Sequence, residues 1–224
     1  MTLPPSAEAL PATLVERDQW VCWRRHDRET TTTKVPIVPG TTQFASTTDP
    51  ETWRSFQTAR EAVTATTVAG LGFVFTADDP LIGIDLDDCR DPETGDPTAW
   101  AARIIDELAS YTEVSPSETG YHVLITGTLP DGRNRAGKLE LYDRSRFFTV
   151  TGDHVETTPA TIAARTEAVT TLYETELLDE TAEASAQSAS STAATASGDA
   201  STAPTATNTP AAAAVPDDDL LERA

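Results

Sequence analysis

Residues 83–89 read Gly83-Ile84-Asp85-Leu86-Asp87-Asp88-Cys89. Successive side chains of a strand point to opposite faces. A strand over 81–87 therefore sets Ile82, Ile84 and Leu86 on one face and Gly83, Asp85 and Asp87 on the other. The apolar face calls for helices to pack on it. Two carboxylates at i and i+2 on the polar face repel each other unless a cation lies between them. Hard divalent ions such as Mg²⁺ take such oxygen ligands, together with waters and phosphates. Gly83 removes a side chain beside the pair, which would let a ligand approach the backbone. In a chain this acidic a D-x-D can also be a strand running into a solvated acidic turn, so the surroundings carry the weight.

The same parity recurs in two later segments. Tyr121-His122-Val123-Leu124-Ile125 places His122 opposite Tyr121, Val123 and Ile125, and Leu139-Glu140-Leu141 places Glu140 opposite its two leucines. If these strands are neighbours, Asp85, Asp87, His122 and Glu140 converge on one polar patch. A strand histidine by itself is more often structural; one at matching parity with three carboxylates fits a phosphate contact. Ser115-Pro116-Ser117-Glu118-Thr119-Gly120 precedes His122, and such a turn can present hydroxyls and backbone N–H groups to phosphate oxygens. Five of the 16 Lys and Arg residues (Arg133, Arg135, Lys138, Arg144 and Arg146) flank the Glu140 segment. That clustering suits a triphosphate or a template backbone, and a solvated hairpin is the competing account.

Outward from this centre, strands and helices alternate. Trp20-Val21-Cys22-Trp23-Arg24 reads as a strand. Asp49-Pro50 predicts a helix start, with Asp as N-cap and Pro at the first helical position, and Trp53, Phe56 and Val63 follow near helical spacing. Leu71 to Thr76 and Leu81 to Asp87 are strands separated by the turn 77–80. Trp100, Ile104, Ile105 and Leu108 mark a second amphipathic helix. Strands follow over 121–126, 138–142 and 146–151, then a last helix from about Pro159 to Leu177. Crossover helices among about six strands predict an α+β fold with a mixed sheet.

Composition bounds the rest. No run of about 18 apolar residues is present, so no membrane span is expected, and the N-terminus lacks a basic start and an apolar stretch, which predicts a cytoplasmic protein. Cys22 and Cys89 have no paired spacing and indicate neither a disulfide framework nor a zinc site. The net charge is −20, from 36 acidic and 16 basic residues. At ordinary ionic strength this opposes nucleic-acid binding, because phosphate contacts need cations. A Lys-poor, Thr-rich, acid-rich chain also suits molar, halophilic salt, where screening acts over about 3 Å and only local contacts count. Residues 179–215 are mostly Ala, Ser, Thr and Pro and are expected to form a disordered linker. The closing PDDDLLERA, 216–224, reads as the first turns of a truncated helical domain.

The landmarks occur in a definite order: W-V-C-W-R (20–24), K-V-P (34–36), A-S-T-T-D-P-E-T-W (45–53), G-L-G-F-V-F-T (70–76), G-I-D-L-D-D-C (83–89), S-Y-T-E-V-S-P-S-E-T-G-Y-H (110–122), E-L-Y-D (140–143) and R-F-F-T-V-T-G-D-H (146–154). Over about residues 15–155 this set resembles the primase-polymerase domain of the archaeo-eukaryotic primase superfamily, in the branch of phage, plasmid and haloarchaeal replication proteins. The resemblance implies a catalytic core with a sheet like that of RNA-recognition folds, joined to an N-terminal α/β unit, all within residues 1–178. It implies that Asp85, Asp87 and Glu140 are the catalytic, metal-binding acids for two Mg²⁺ or Mn²⁺ ions. His122 would contact the phosphates of the incoming nucleotide, with Ser117, Lys34 and Arg146 as further nucleotide-binding residues. The implied partners are nucleoside triphosphates, a single-stranded DNA template and a helicase or helical accessory domain on another chain. No G-x-x-x-x-G-K-[ST] motif of a helicase-type ATPase occurs in this sequence.

Two other functions stay open at this point. A metal-dependent nuclease could use the same acids, although no Lys directly follows Glu140. A non-catalytic, single-strand-binding or docking remnant of a truncated replication protein could use Trp20, Trp23, Tyr121 and Phe147 as stacking platforms, although most of these aromatics fit a core better.

Overall fold

The alternating segments form ten strands in two sheets, together with four α-helices, among the described residues 3–27 and 32–178 of the computed structural model. The first sheet contains β1 (Trp20–Asp27), β2 (Thr32–Ile37), β3 (Gly70–Phe75) and β9 (Arg146–Val150). It runs in the order β2-β1-β3-β9 with every pairing antiparallel. The second contains β4 (Leu81–Leu86), β5 (Thr112–Val114), β6 (Tyr121–Thr126), β7 (Arg135–Ala136), β8 (Leu139–Tyr142) and β10 (Ala163–Ala164). Its order is β10-β6-β4-β8-β7, with β5 also on β6, and only β10 runs parallel to its neighbour. The fold is thus α+β. The mixed character expected from the sequence is confined to the short β10, and the six expected strands divide between two sheets.

The turn 77–80 carries the chain from one sheet to the other. Asp79 holds it by accepting from Leu81 N at 2.9 Å, Thr76 Oγ1 at 3.1 Å and Gln19 Nε2 at 2.7 Å. The apolar face of β4 behaves as its parity requires. Ile82, Ile84 and Leu86, with Val123, Ile125, Leu139 and Leu141, bury against α3 (Ala99–Leu108) through Ala101, Ile104 and Leu108, and against α4 (Thr166–Leu172) through Val169 and Leu172. A second cluster joins the sheets to each other and to α2 (Phe56–Ala65): Trp20, Phe73, Phe75 and Phe148 pack with Phe56 and Ala59 on one side and with Leu81, Tyr111 and Leu124 on the other. The short α1 (Ala12–Val15) closes one edge through Leu14, whose carbonyl accepts from Trp20 Nε1.

Three local expectations change in the folded chain. Asp49 does cap Pro50, but only a single 3₁₀ turn, Pro50–Thr52, follows. Trp53 lies outside the helix because its indole donates to Ser46 O at 2.6 Å, and Arg54 exchanges backbone hydrogen bonds with Trp20. The helix restarts at Ser55, whose side chain accepts from Thr58 N. The last helix begins at Thr166, seven residues after the expected Pro159. Ala163 and Ala164 instead pair with β6, and the Arg165 guanidinium donates to Leu108 O and Ala109 O at 2.7 and 3.1 Å. Beyond Leu172 the helix widens into a π turn over Tyr173–Leu178. The expected linker 179–215 and the segment 216–224 lie outside the described residues.

Candidate active site

β4 is the central strand of the second sheet, and its register decides what Asp85 meets. Asp85 pairs with His122 on β6 and with Glu140 on β8. His122 in turn pairs with Glu113 on β5, and Glu140 with Arg135 on β7. Residues opposite one another on neighbouring strands share a face. Glu113, His122, Asp85, Glu140 and Arg135 therefore form one continuous row across five strands. Asp87 lies two residues beyond Asp85 on the same face, where its backbone N–H extends the pairing by donating to Lys138 O at 2.9 Å. Convergence of Asp85, Asp87, His122 and Glu140 is as expected from the strand parities.

The carboxylates are in unlike environments. Burial pushes the Asp85 carboxyl above the usual range, with Asp87 adding to the shift and His122, Lys34 and Arg146 opposing it. Among the described residues its buried Oδ1 has no hydrogen-bond partner, and His122 Nε2 is 3.8 Å away. Asp87 is also pushed up, by burial first and then by the Glu140 and Asp88 carboxylates. Glu140 is neutralised. Arg135 Nη1 lies 3.1 Å from Oε1 and Arg146 Nη2 lies 3.1 Å from Oε2, where Tyr142 OH also donates at 3.0 Å. Like charges held together in a partly desolvated site favour an added cation, so the Asp85–Asp87 pair fits a divalent ion. A share in holding that ion by Glu140 competes with its two guanidinium contacts. Among the described residues no group of three or more His, Cys, Asp or Glu side chains is already gathered at metal-ligand distances.

The cations come mainly from the other sheet. Lys34, on β2, is held down by burial and drawn back up by the Asp85 and Asp87 carboxylates; its Nζ lies over the Trp23 ring at 5.8 Å from the centroid. Arg146, at the start of β9, stacks on Tyr142 at 4.6 Å while it bonds Glu140. The remaining basic residues of the expected cluster are engaged elsewhere: Arg144 pairs with Asp143, Lys138 lies 3.6 Å from Asp88, and Arg133 donates to Arg135 O.

Ser117 sits on the exposed turn 115–120, where its hydroxyl bonds Ser115 Oγ at 2.9 Å and Thr119 Oγ1 at 3.0 Å. The turn is pressed onto the end of β4. Thr119 O accepts from Cys89 N and Arg90 N, and a Cβ on Gly120 would strike the backbone oxygen of Leu86. Ser117 is thus brought to the Asp87 end of the row without a direct contact to its acids.

One sequence expectation needs correction here. The space beside Gly83 is not open to a ligand, because a Cβ there would lie 2.6 Å from the rings of Phe75 and Phe148 of the other sheet. Trp20, Trp23, Tyr121 and Phe147 are all buried, which agrees with a core role and removes them as stacking platforms. One residue of the row was missed altogether. Glu113 is 1% exposed, and Thr112-Glu113-Val114 has no apolar alternation that would have marked it.

No protein-family model matches the chain. A curated relative, the DNA primase-polymerase of Nitratiruptor phage NrS-1, is 38% identical over 141 residues, which cover 60% of this chain and 19% of that protein. The chain thus spans about a fifth of its relative's length. No helix among the described residues is long and apolar enough to cross a membrane. The ordered landmarks, the acidic row and this similarity point the same way: over 141 residues the chain is similar to part of a phage DNA primase-polymerase.

Proposed function

We propose that this domain is a DNA-directed primase or polymerase, a nucleotidyltransferase that acts on a single-stranded DNA template with two divalent metal ions, in the replication of a mobile element or replicon. The observation that carries the reading is the cross-strand row His122–Asp85–Glu140 with Asp87 two residues on, faced by Lys34 and Arg146. On this reading β6-β4-β8, backed by α3 and α4, is the catalytic sheet akin to RNA-recognition folds. The other sheet with α2 is the N-terminal α/β unit.

Asp85 and Asp87 would hold Mg²⁺ or Mn²⁺, with Glu140 joining them on release from Arg135 or Arg146. The chemistry such ions supply when bound is activation of a hydroxyl nucleophile and stabilisation of the pyrophosphate leaving group. The chain's own contribution is binding and charge. Lys34 and Arg146 offer cations to a triphosphate, His122 offers a ring nitrogen, and Ser117 offers a hydroxyl at the end of β4. A triphosphate that drew Arg146 toward itself would take the guanidinium off Glu140 Oε2 and leave the Tyr142 hydroxyl there. Nucleotide binding and completion of the acidic set are then linked through one guanidinium.

The test is nucleotide incorporation on primed and unprimed single-stranded DNA, with Mg²⁺ or Mn²⁺, at high salt. Wild type is expected to release pyrophosphate and extend the primer, and an Asp85→Ala/Asp87→Ala variant to lose incorporation by at least about 1,000-fold, in line with removal of charge-stabilising groups from a reaction centre. Equal incorporation by both proteins would sink the proposal, and cleaved DNA without pyrophosphate would point to a nuclease.

A further inference from the structure

Glu113 is a buried carboxylate that the proposed chemistry does not use. It is 1% exposed, and four groups converge on it: Thr151 N at 3.1 Å, Gly152 N at 2.9 Å, Tyr111 OH at 3.2 Å and His122 Nδ1 at 3.3 Å. A buried charge persists only where hydrogen bonds satisfy it. Here three of the four contacts come from neighbours that are themselves fixed. Two are backbone N–H groups at the end of β9, in the first sheet, and the third is the hydroxyl of the buried Tyr111, whose ring stacks on His154 with centroids 5.3 Å apart. The fourth is the imidazole of the active-site row.

We infer that Glu113 is a positioning residue for His122: it keeps the proton on Nδ1, fixes the ring plane, and so aims Nε2 at the space beside Asp85. The inference rests on the proposed role of His122 toward a nucleotide. Its geometric part stands independently. The imidazole is 4% exposed, is held on one face by Phe148 with ring centroids 5.0 Å apart, and has its two nitrogens directed at two different carboxylates, Glu113 and Asp85. An orienting carboxylate behind a functional imidazole determines which nitrogen carries the proton. Because Glu113 is itself tied to Thr151 and Gly152, the ring orientation is referenced to the first sheet, the sheet that supplies Lys34 and Arg146. The alternative is a purely structural role, in which Glu113 only joins β5 to the end of β9.

The two roles separate in one set of measurements on the full chain. Long-range ¹⁵N–¹H spectra of the His122 ring, with His26→Gln and His154→Gln variants for assignment, are expected to show a protonated Nδ1 in the wild type and a redistributed proton in Glu113→Gln. Glu113→Gln is also expected to raise the nucleotide KM, lowering kcat/KM by about 10–100-fold, as for other orienting partners. The double variant Glu113→Gln/His122→Ala is expected to be no worse than His122→Ala alone, because both changes act through one ring. A Glu113→Gln protein that melts earlier but keeps wild-type kcat/KM well below its melting temperature would overturn the inference. So would a wild-type ring with no proton on Nδ1, a result that needs no variant to fold. Absence of incorporation by wild type would remove the primase-polymerase reading, while the ring spectra would still decide the orienting role of Glu113.

Discussion

Asp85 has a costly position. Its carboxylate is partly desolvated, one oxygen is without a hydrogen bond, and Asp87 adds a second negative charge on the same face. For both aspartates burial raises the pKa, so over a window above the ordinary carboxylate value of about 3.9 the native chain binds more protons than the unfolded one. Stability from this source is present at low pH and is lost as pH rises through the raised values. Asp85→Asn keeps the shape and removes the charge. It is expected to melt at a higher temperature than wild type at pH 7, with the gap closing as pH falls through the raised value and gone below about 4. Thermal melts at several pH values check this; a variant less stable than wild type at pH 7 would show that the Asp85 charge is satisfied in the apo protein. Glu140 is the contrasting case, with both oxygens already bonded to guanidinium groups.

At the level of elements, β4 carries unequal demands on its two faces. One face is a continuous apolar surface for α3 and α4, and the other changes character along its length, from close packing at Leu81 and Gly83 to charge at Asp85 and Asp87. Gly83 is where aromatic rings of the first sheet touch the strand, and Gly120 is where the Ser117 turn touches its end. Both glycines serve close approach. Gly83→Ala is expected to cost about 1–3 kcal/mol as overpacking against Phe75 and Phe148. Gly120→Ala should cost at least as much, because its added methyl meets backbone that cannot rotate away as a side chain can. Urea unfolding of the two variants measures the order, and a neutral Gly120→Ala would mean that the 115–120 turn shifts freely off β4.

For the molecule as a whole, the site is assembled at the junction of the two sheets: acids and His122 from one, Lys34 and Arg146 from the other. Whatever separates the sheets separates the carboxylates from their cations, and the His122–Phe148 contact, with ring centroids 5.0 Å apart, is part of what holds them. The net charge of −20 works against this closure. Self-repulsion of a compact, highly charged chain falls as the screening length shortens, from about 10 Å at 0.1 M salt to about 3 Å at 1 M. The melting temperature is therefore expected to rise by several degrees between 0.1 and 2 M KCl, with most of the rise below 1 M, where screening changes fastest. A melting temperature independent of salt over that range would show that local pairs, rather than net charge, govern stability.

Strand parity is a local property, and so the faces of Asp85, Asp87, His122 and Glu140 could be read directly from the alternation of apolar and polar residues around them. The apolar halves of those strands and the helix Ala99–Leu108 were legible for the same reason, since burial periodicity is written within a few residues of each position. The order of landmarks carried the resemblance to primase-polymerases, which the similarity to the phage protein supports. Other features depended on which strands lie side by side, and pairing between distant segments leaves no local trace. Glu113 joined the row only because β5 lies against β6; by itself, Thr112-Glu113-Val114 is a short segment with one apolar residue and no sign of which face is buried. Gly83 looked like room for a ligand until the first sheet supplied two phenylalanines to fill it. Trp53 fell in helical spacing with Phe56, yet a carbonyl at Ser46 and a bridge from Arg54 to Trp20 held it outside the helix. The sequence by itself determined which side chains could face a common site. Tertiary structure decided which of them meet, which are already neutralised, and which carboxylate stands behind the histidine, because those outcomes depend on the register and packing of segments far apart in the chain.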